Sequence, residues 1–224
     1  MSFFDKLFET PEERRVKRLI EDSRVKDETT NGPVRKLSMA ITCATHKAYL
    51  NLARVFDFSK EGHPPSQPQI LTFYEFMYFF MHLTLRTTVA KGFTESQINK
   101  LQGYLGPLLV WTAVESFFKN WPEELKAKMR SEIFEKLNDA EMEYSECKGL
   151  FSSDDPLNRN MLIGRLAGNA VALWERPSDE SAKMAVVAAA TQALSEMNLD
   201  RLVDDAKAVI DSVDSELIKK FWTK

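Results

Sequence analysis

The sequence predicts an all-α fold, a multi-helix bundle of about seven to eight helices around a buried aromatic central helix at residues 68–90. Three observations predict it. Residues 70–90 read ILTFYEFMYFFMHLTLRTTVA, and six of the eight residues from Phe73 to Phe80 are aromatic. A helix apolar on every side sits inside a larger protein, whereas one with a single apolar stripe lies on its surface. The flanking segments carry such single stripes at helical spacing. Helix starts and stops punctuate the chain at Thr10-Pro11, Asn31-Gly32-Pro33, Gly92, Trp121-Pro122 and Arg176-Pro177. No internal repeat or low-complexity run interrupts the pattern.

Length and composition bound the classes. A chain of 224 residues, 44% hydrophobic, buries a substantial core as one large domain or a domain with a small appendage. A net charge of −3 gives no basic surface, so no nucleic-acid partner is expected. Cys43 and Cys147 are the two cysteines, and no cleavable apolar leader is read. A reducing cytoplasm without a structural disulfide is therefore expected. The central helix is too polar to cross a membrane, because Glu75, His82 and Arg86 interrupt the roughly 20 apolar residues a span needs.

The elements follow in order. Met1–Phe8 places Phe3, Phe4, Leu7 and Phe8 on one side of a short helix ahead of the basic run Arg14, Arg15, Lys17 and Arg18. That pairing suits contact with an anionic membrane surface, but nearby acids dilute it and favour a turn folded back on the core. Thr10-Pro11-Glu12-Glu13 starts a charged helix to about Asp27. Gly32-Pro33 opens the next helix, striped by Leu37, Ile41, Ala44, Ala48, Leu52 and Val55. It carries Cys43 and His46, a Cys-x-x-His pair read as a buried thiol beside a partly exposed histidine, since no second pair exists to complete a metal site. Phe58–Gln69, with three prolines, is a connector holding a solvated His63.

The central helix starts either at Gln67-Pro68 or at Thr72, where Glu75 would close a capping box. Gly92 ends it, and Thr94-x-x-Gln97 opens a helix to about Asn120 that Gly103 and Gly106-Pro107 are expected to bend or break. Pro122 restarts the chain as a helix to about Lys148. Leu125, Met129, Ile133, Leu137, Ala140, Tyr144 and Cys147 form its stripe, with Asp139, Glu143 and Glu146 on a solvated flank. A ferritin-like metal site would need Glu-x-x-His, which the sequence lacks, so no metal and no cofactor are expected. Asp154-Asp155-Pro156 opens a helix to Trp174. On it Gly164, Gly168 and Ala172 offer a surface for close approach by another helix. Helices over about 179–197 and 199–222 complete the chain, so residues 1–176 read as the bundle and residues 177–224 as a hairpin docked on it.

Candidate functional residues lie along the central helix. Glu75, Phe79, His82 and Arg86 are spaced four, three and four apart and form one ridge, a polar seam in an aromatic helix. His82 and Arg86 are close enough to act on one group. Glu115, the one charge in PLLVWTAVESFF, needs a partner that Arg86 or His82 would supply. Arg165 and Asn169 share a side and are placed to join the seam. No P-loop, dinucleotide glycine pattern, His-Glu-x-x-His or Gly-x-Ser-x-Gly occurs. Residues 75–86, EFMYFFMHLTLR, resemble a recurring stretch of uncharacterised all-helical bacterial proteins, with an acid, then aromatics, then His and Arg. The resemblance implies a helical fold and a bacterial source and carries no activity.

Three functional readings follow. The leading one is a helical interaction protein, in which self-association or a protein partner is expected and the seam specifies how helices pair. The second is a small anionic ligand-binding protein or enzyme using Glu75, His82, Arg86, Glu115 and Arg165. There arginine would clamp a carboxylate or phosphate and histidine would handle a proton. The third is membrane-surface association through Phe3, Phe4, Leu7 and Phe8.

Overall fold

The computed structural model describes residues 32–56, 66–117 and 121–212. Seven α-helices account for most of them: α1 (Gly32–Phe56), α2 (Gln67–Ala90), α3 (Glu95–Phe117), α4 (Glu123–Ser145), α5 (Leu162–Ala172), α6 (Glu180–Met197) and α7 (Leu199–Lys207). A 3-10 turn at Ile210–Ser212 follows. No strand occurs among the described residues, where one isolated bridge joins Gly149 to Met161. Phe3, Phe4, Leu7, Phe8 and His63, and the stripe residues Val213, Leu217 and Phe221, lie outside the described residues. No described helix is long and apolar enough to cross a membrane.

The aromatic helix is α2, and 16 of its 24 residues are buried, so it is enclosed on nearly every side as its composition requires. Its buried threonines bond within the helix, Thr84 to the Phe80 carbonyl and Thr88 to that of Leu85. Neither of these two hydroxyls is therefore orphaned in the core. Of the two starts open to it, the chain uses the earlier. Ser66 is the cap, with the Gln69 side chain accepting from the Ser66 N–H at 2.7 Å in a capping box. Thr72 lies inside the helix and donates to the Pro68 carbonyl, which frees Glu75 from any capping role. At the far end Gly92 adopts φ +69°, and N–H bonds from Gly92 to Val89 and from Phe93 to Thr88 close a Schellman turn.

Packing around α2 positions everything else. α1 contacts α2, α3, α6 and α7, while α4 and α5 both lie against α2. The inward face of α1 buries Leu37, Ile41, Ala48 and Leu52. Its outward face carries Met39, Cys43 and Leu50, all exposed. The expectation of a buried thiol is thereby corrected. Two residues after Ile41, at about 100° per residue, Cys43 points away from the core. His46 stays half-buried, its ring edge-on to Phe73.

The structure settles the form of three helices. Of the bend or break expected in α3, no break occurs, and one helix runs through Gly103, Gly106 and Pro107. A proline deletes a single ladder bond, and the buried Leu101, Leu105, Leu109, Val110 and Val114 hold the turns on either side. α5 begins at Leu162, well after Pro156, because polar side chains satisfy the backbone before it. Asp155 accepts from the Leu157 N–H and Asn158 from that of Asn160. The helical run expected to continue from residue 199 gives way after Lys207 to the 3-10 turn. Leu125, assigned to the apolar stripe, is exposed on the first turn of α4.

Candidate functional site

Four of the five predicted site residues converge on one short segment, Glu141 to Cys147, at the C-terminal end of α4. The chain brings α5 beside that segment by backbone pairing. Lys148 donates to the Asn160 carbonyl at 2.8 Å, Leu162 to that of Gly149 at 2.9 Å and Ile163 to that of Leu150 at 3.1 Å. Where the connector returns over α5, glycine is required at 164 and a side chain is crowded at 168. A Cβ on Gly164 would lie 2.1 Å from the Asn158 carbonyl oxygen, and one on Gly168 would lie 3.1 Å from the Arg159 side chain. The close approach predicted from these glycines is thus made by the chain's own connector and not by another helix.

Glu75 is the centre of the seam. Tyr144 donates its hydroxyl to Glu75 Oε1 at 2.6 Å, and Asn169 Nδ2 donates to the same oxygen at 2.9 Å. Asn169 Nδ2 also reaches Glu143 Oε1 at 3.0 Å, and Arg165 donates to that oxygen at 3.3 Å while lying 3.7 Å from Glu146. Three helices are therefore joined by one chain of hydrogen bonds, α2 through Glu75, α4 through Tyr144 and Glu143, and α5 through Asn169 and Arg165. Burial pushes the Glu75 carboxyl above the usual carboxylate range, the bonds from Tyr144 and Asn169 oppose that rise, and the Glu143 charge adds to it. Burial, with the neighbouring Glu75 charge, raises the Tyr144 phenol far above its ordinary value, so it remains a donor.

His82 and Arg86 reach separate partners. His82 Nδ1 lies 2.8 Å from Glu141 Oε1, and its ring stacks on that of Tyr144 with centroids 5.7 Å apart. A carboxylate acceptor makes Nδ1 the proton-bearing nitrogen, and Nε2 is buried without a hydrogen-bond partner. Arg86 donates to the Cys147 carbonyl at 2.7 Å, just past the end of α4, where a cation complements the helix dipole. Burial pushes the Cys147 thiol up, and the guanidinium groups of Arg165 and Arg86 hold that rise back. The expectation that His82 and Arg86 act on one group is replaced by this divergence.

Glu115 does not join the seam. It accepts from Lys126 at 2.8 Å and Arg130 at 3.2 Å across the α3–α4 contact, and Arg130 also lies over the Trp111 ring. The partner predicted from α2 is displaced by two cations on the helix packed directly against α3. Glu141, Glu143 and Tyr144 are the seam residues that sequence reasoning missed, since Tyr144 was assigned to the apolar stripe and Glu143 to a solvated flank. The available signal was a lone buried carboxylate on α2, which demands a donor, and a tyrosine is the one donor that an apolar stripe carries inward. Among the described residues no three His, Cys, Asp or Glu side chains are grouped to hold a metal ion. Fold and seam together define an all-α bundle with a hydrogen-bonded polar network between three of its helices. No protein-family model, curated protein or solved structure matches the chain.

Proposed function

We propose that this chain is a helical interaction protein that pairs with a second copy through the outer face of α1. In this reading the seam is the structural network that fixes how α2, α4 and α5 pair. The observation that supports it is the stripe of Met39, Cys43 and Leu50, exposed at spacings of four and seven on a helix whose other faces are packed. The stripe spans about 17 Å at 1.5 Å per residue. Each large apolar side chain removed from water contributes about 1.5–3 kcal/mol, against an association cost of about 4–15 kcal/mol. A patch this small yields a reversible dimer and not an obligate one. An exposed free thiol in the stripe also suits a reducing cytoplasm, which belongs to the same proposal. A native mass spectrum of gently purified protein at micromolar concentration is expected to show the dimer at twice the chain mass with nothing added. A monomer at every concentration, or a reproducible extra mass, would count against the reading.

The guanidinium of Arg86, which gives one N–H to the Cys147 carbonyl, favours a second reading, in which the seam binds a small anion at its other N–H groups. Inorganic phosphate and acetate would then raise the melting temperature of the intact protein. That shift would vanish in Arg86→Ala; if the variant keeps it, the seam is not the site.

A further inference from the structure

The outer face of α1 has a symmetry of its own. Met39, Cys43, His46 and Leu50 follow one another at spacings of four, three and four. At about 100° per residue they share an arc of about 60°. Met39, Cys43 and Leu50 are exposed, and His46 is half-buried with its ring edge-on to Phe73. From either end the stripe reads as an apolar residue, two metal-binding residues and an apolar residue. A second copy laid antiparallel along it sets the partner's Leu50 on Met39 and the partner's His46 beside Cys43, the self-complementarity that a twofold pairing needs.

Cysteine and histidine three residues apart on a helix are neighbours that reach one ion, as Glu-x-x-His pairs do in di-metal bundles. One chain does not complete a site, because among its described residues no three His, Cys, Asp or Glu side chains are grouped to hold a metal ion. Two copies supply two thiolates and two imidazoles, a tetrahedral set suited to zinc. Cys43 and His46 stand about 4.5 Å apart along the axis, and helices packed about 8–10 Å apart bring an ion midway within reach of both pairs. α1 contains no Asp or Glu, so the face lacks the carboxylates that draw calcium or magnesium. On binding, the two thiols release their protons to solvent, and the thiolates balance the charge of the ion. One ring nitrogen of each histidine ligates, and the other is left for a hydrogen bond within its own chain.

We propose that two α1 helices bind one zinc ion through Cys43 and His46 of each copy, and that zinc thereby tightens the dimer. The inference rests on the α1 pairing proposed above and adds its regulation. Because the ligand set is assembled only in a reversible dimer, its apparent affinity is lowered by the fraction of chains that are paired. Protein isolated without added metal is accordingly the bare dimer, and zinc supplied to it fills the site.

The test is sedimentation velocity of the full chain under a non-chelating reductant, in EDTA and then in zinc. Zinc at about ten times its Kd is expected to tighten the dimer about tenfold, at one ion per two chains. Cys43→Ser, at an exposed position outside the core, is expected to dimerise like the wild type in EDTA and to gain nothing from zinc. The same loss is expected in His46→Gln with unchanged helical content. Cobalt(II) in place of zinc reads the ligands directly, with the intense visible absorption of a tetrahedral cobalt thiolate expected in the wild type and absent from Cys43→Ser. A dimer that zinc leaves unchanged, an ion bound by each chain alone, a wild type without the cobalt band, or a zinc response kept by Cys43→Ser would overturn the site and leave the apolar pairing standing. A chain that is monomeric in EDTA yet paired by zinc would uphold the site and overturn the apolar pairing, and a monomer under both conditions would overturn the two together.

Discussion

The Tyr144–Glu75 hydrogen bond joins side chains 69 positions apart and ties α4 to α2. Removing the donor leaves the carboxyl with Asn169 alone. Tyr144→Phe is therefore expected to lower the unfolding free energy by about 1–3 kcal/mol in urea denaturation. Glu75→Gln isolates the charge, because the amide keeps an acceptor for both donors. The folded-state pKa of Glu75 lies above its unfolded value. The folded protein therefore holds the extra proton between the two values, and stability contributed by this group is complete below the unfolded value and is lost as the pH rises through the folded one. Wild-type stability is expected to fall over that interval more steeply than that of Glu75→Gln, with the variant equal or more stable at neutral pH. Parallel pH profiles for the two proteins would show that the buried carboxyl is not the titrating group.

Among the elements, α5 and α3 use glycine for opposite reasons. Gly164 is pressed by the backbone of the connector, and a side chain there has nowhere to go. Gly164→Ala is expected to cost roughly 1–3 kcal/mol or more by overpacking. Gly103 has no atom within 4 Å of the Cβ position and lies in a helix interior, so Gly103→Ala is expected to stabilise by about 0.5–1 kcal/mol. Thermal denaturation of both variants checks the contrast, and equal shifts would contradict it. The same two helices show what a sequence conveys. Aromatic density and a Gly92 turn, both local properties, placed α2 and its C-terminal end, while its start stayed open between Gln67 and Thr72 until the Ser66 cap decided it. They could not show that tertiary packing carries α3 through Pro107, nor that Asp155 and Asn158 satisfy the backbone ahead of α5. Such outcomes depend on contacts that a linear pattern does not contain.

For the whole molecule, the seam was legible from one side only. Glu75, His82 and Arg86 announced themselves as ionisable groups in an aromatic helix, and Arg165 and Asn169 as a pair on α5. Their partners on α4 were disguised, since Glu143 read as a surface acid and Glu141 stood out in no pattern until α2 and α5 packed beside them. Glu115 drew the wrong partner for the same reason, because pairing follows which helices touch. Burial of α2 on nearly every side leaves the outer helices to present the surface, and α1 does so with Met39, Cys43 and Leu50. Sedimentation velocity of the full chain across a concentration series, beside a Met39→Glu/Leu50→Glu variant, tests the central claim most directly. The account expects the wild type to move from monomer to dimer with rising concentration while the variant, with unchanged helical content, stays monomeric. A wild type that sediments as a monomer throughout, or a variant that dimerises equally well, would contradict it.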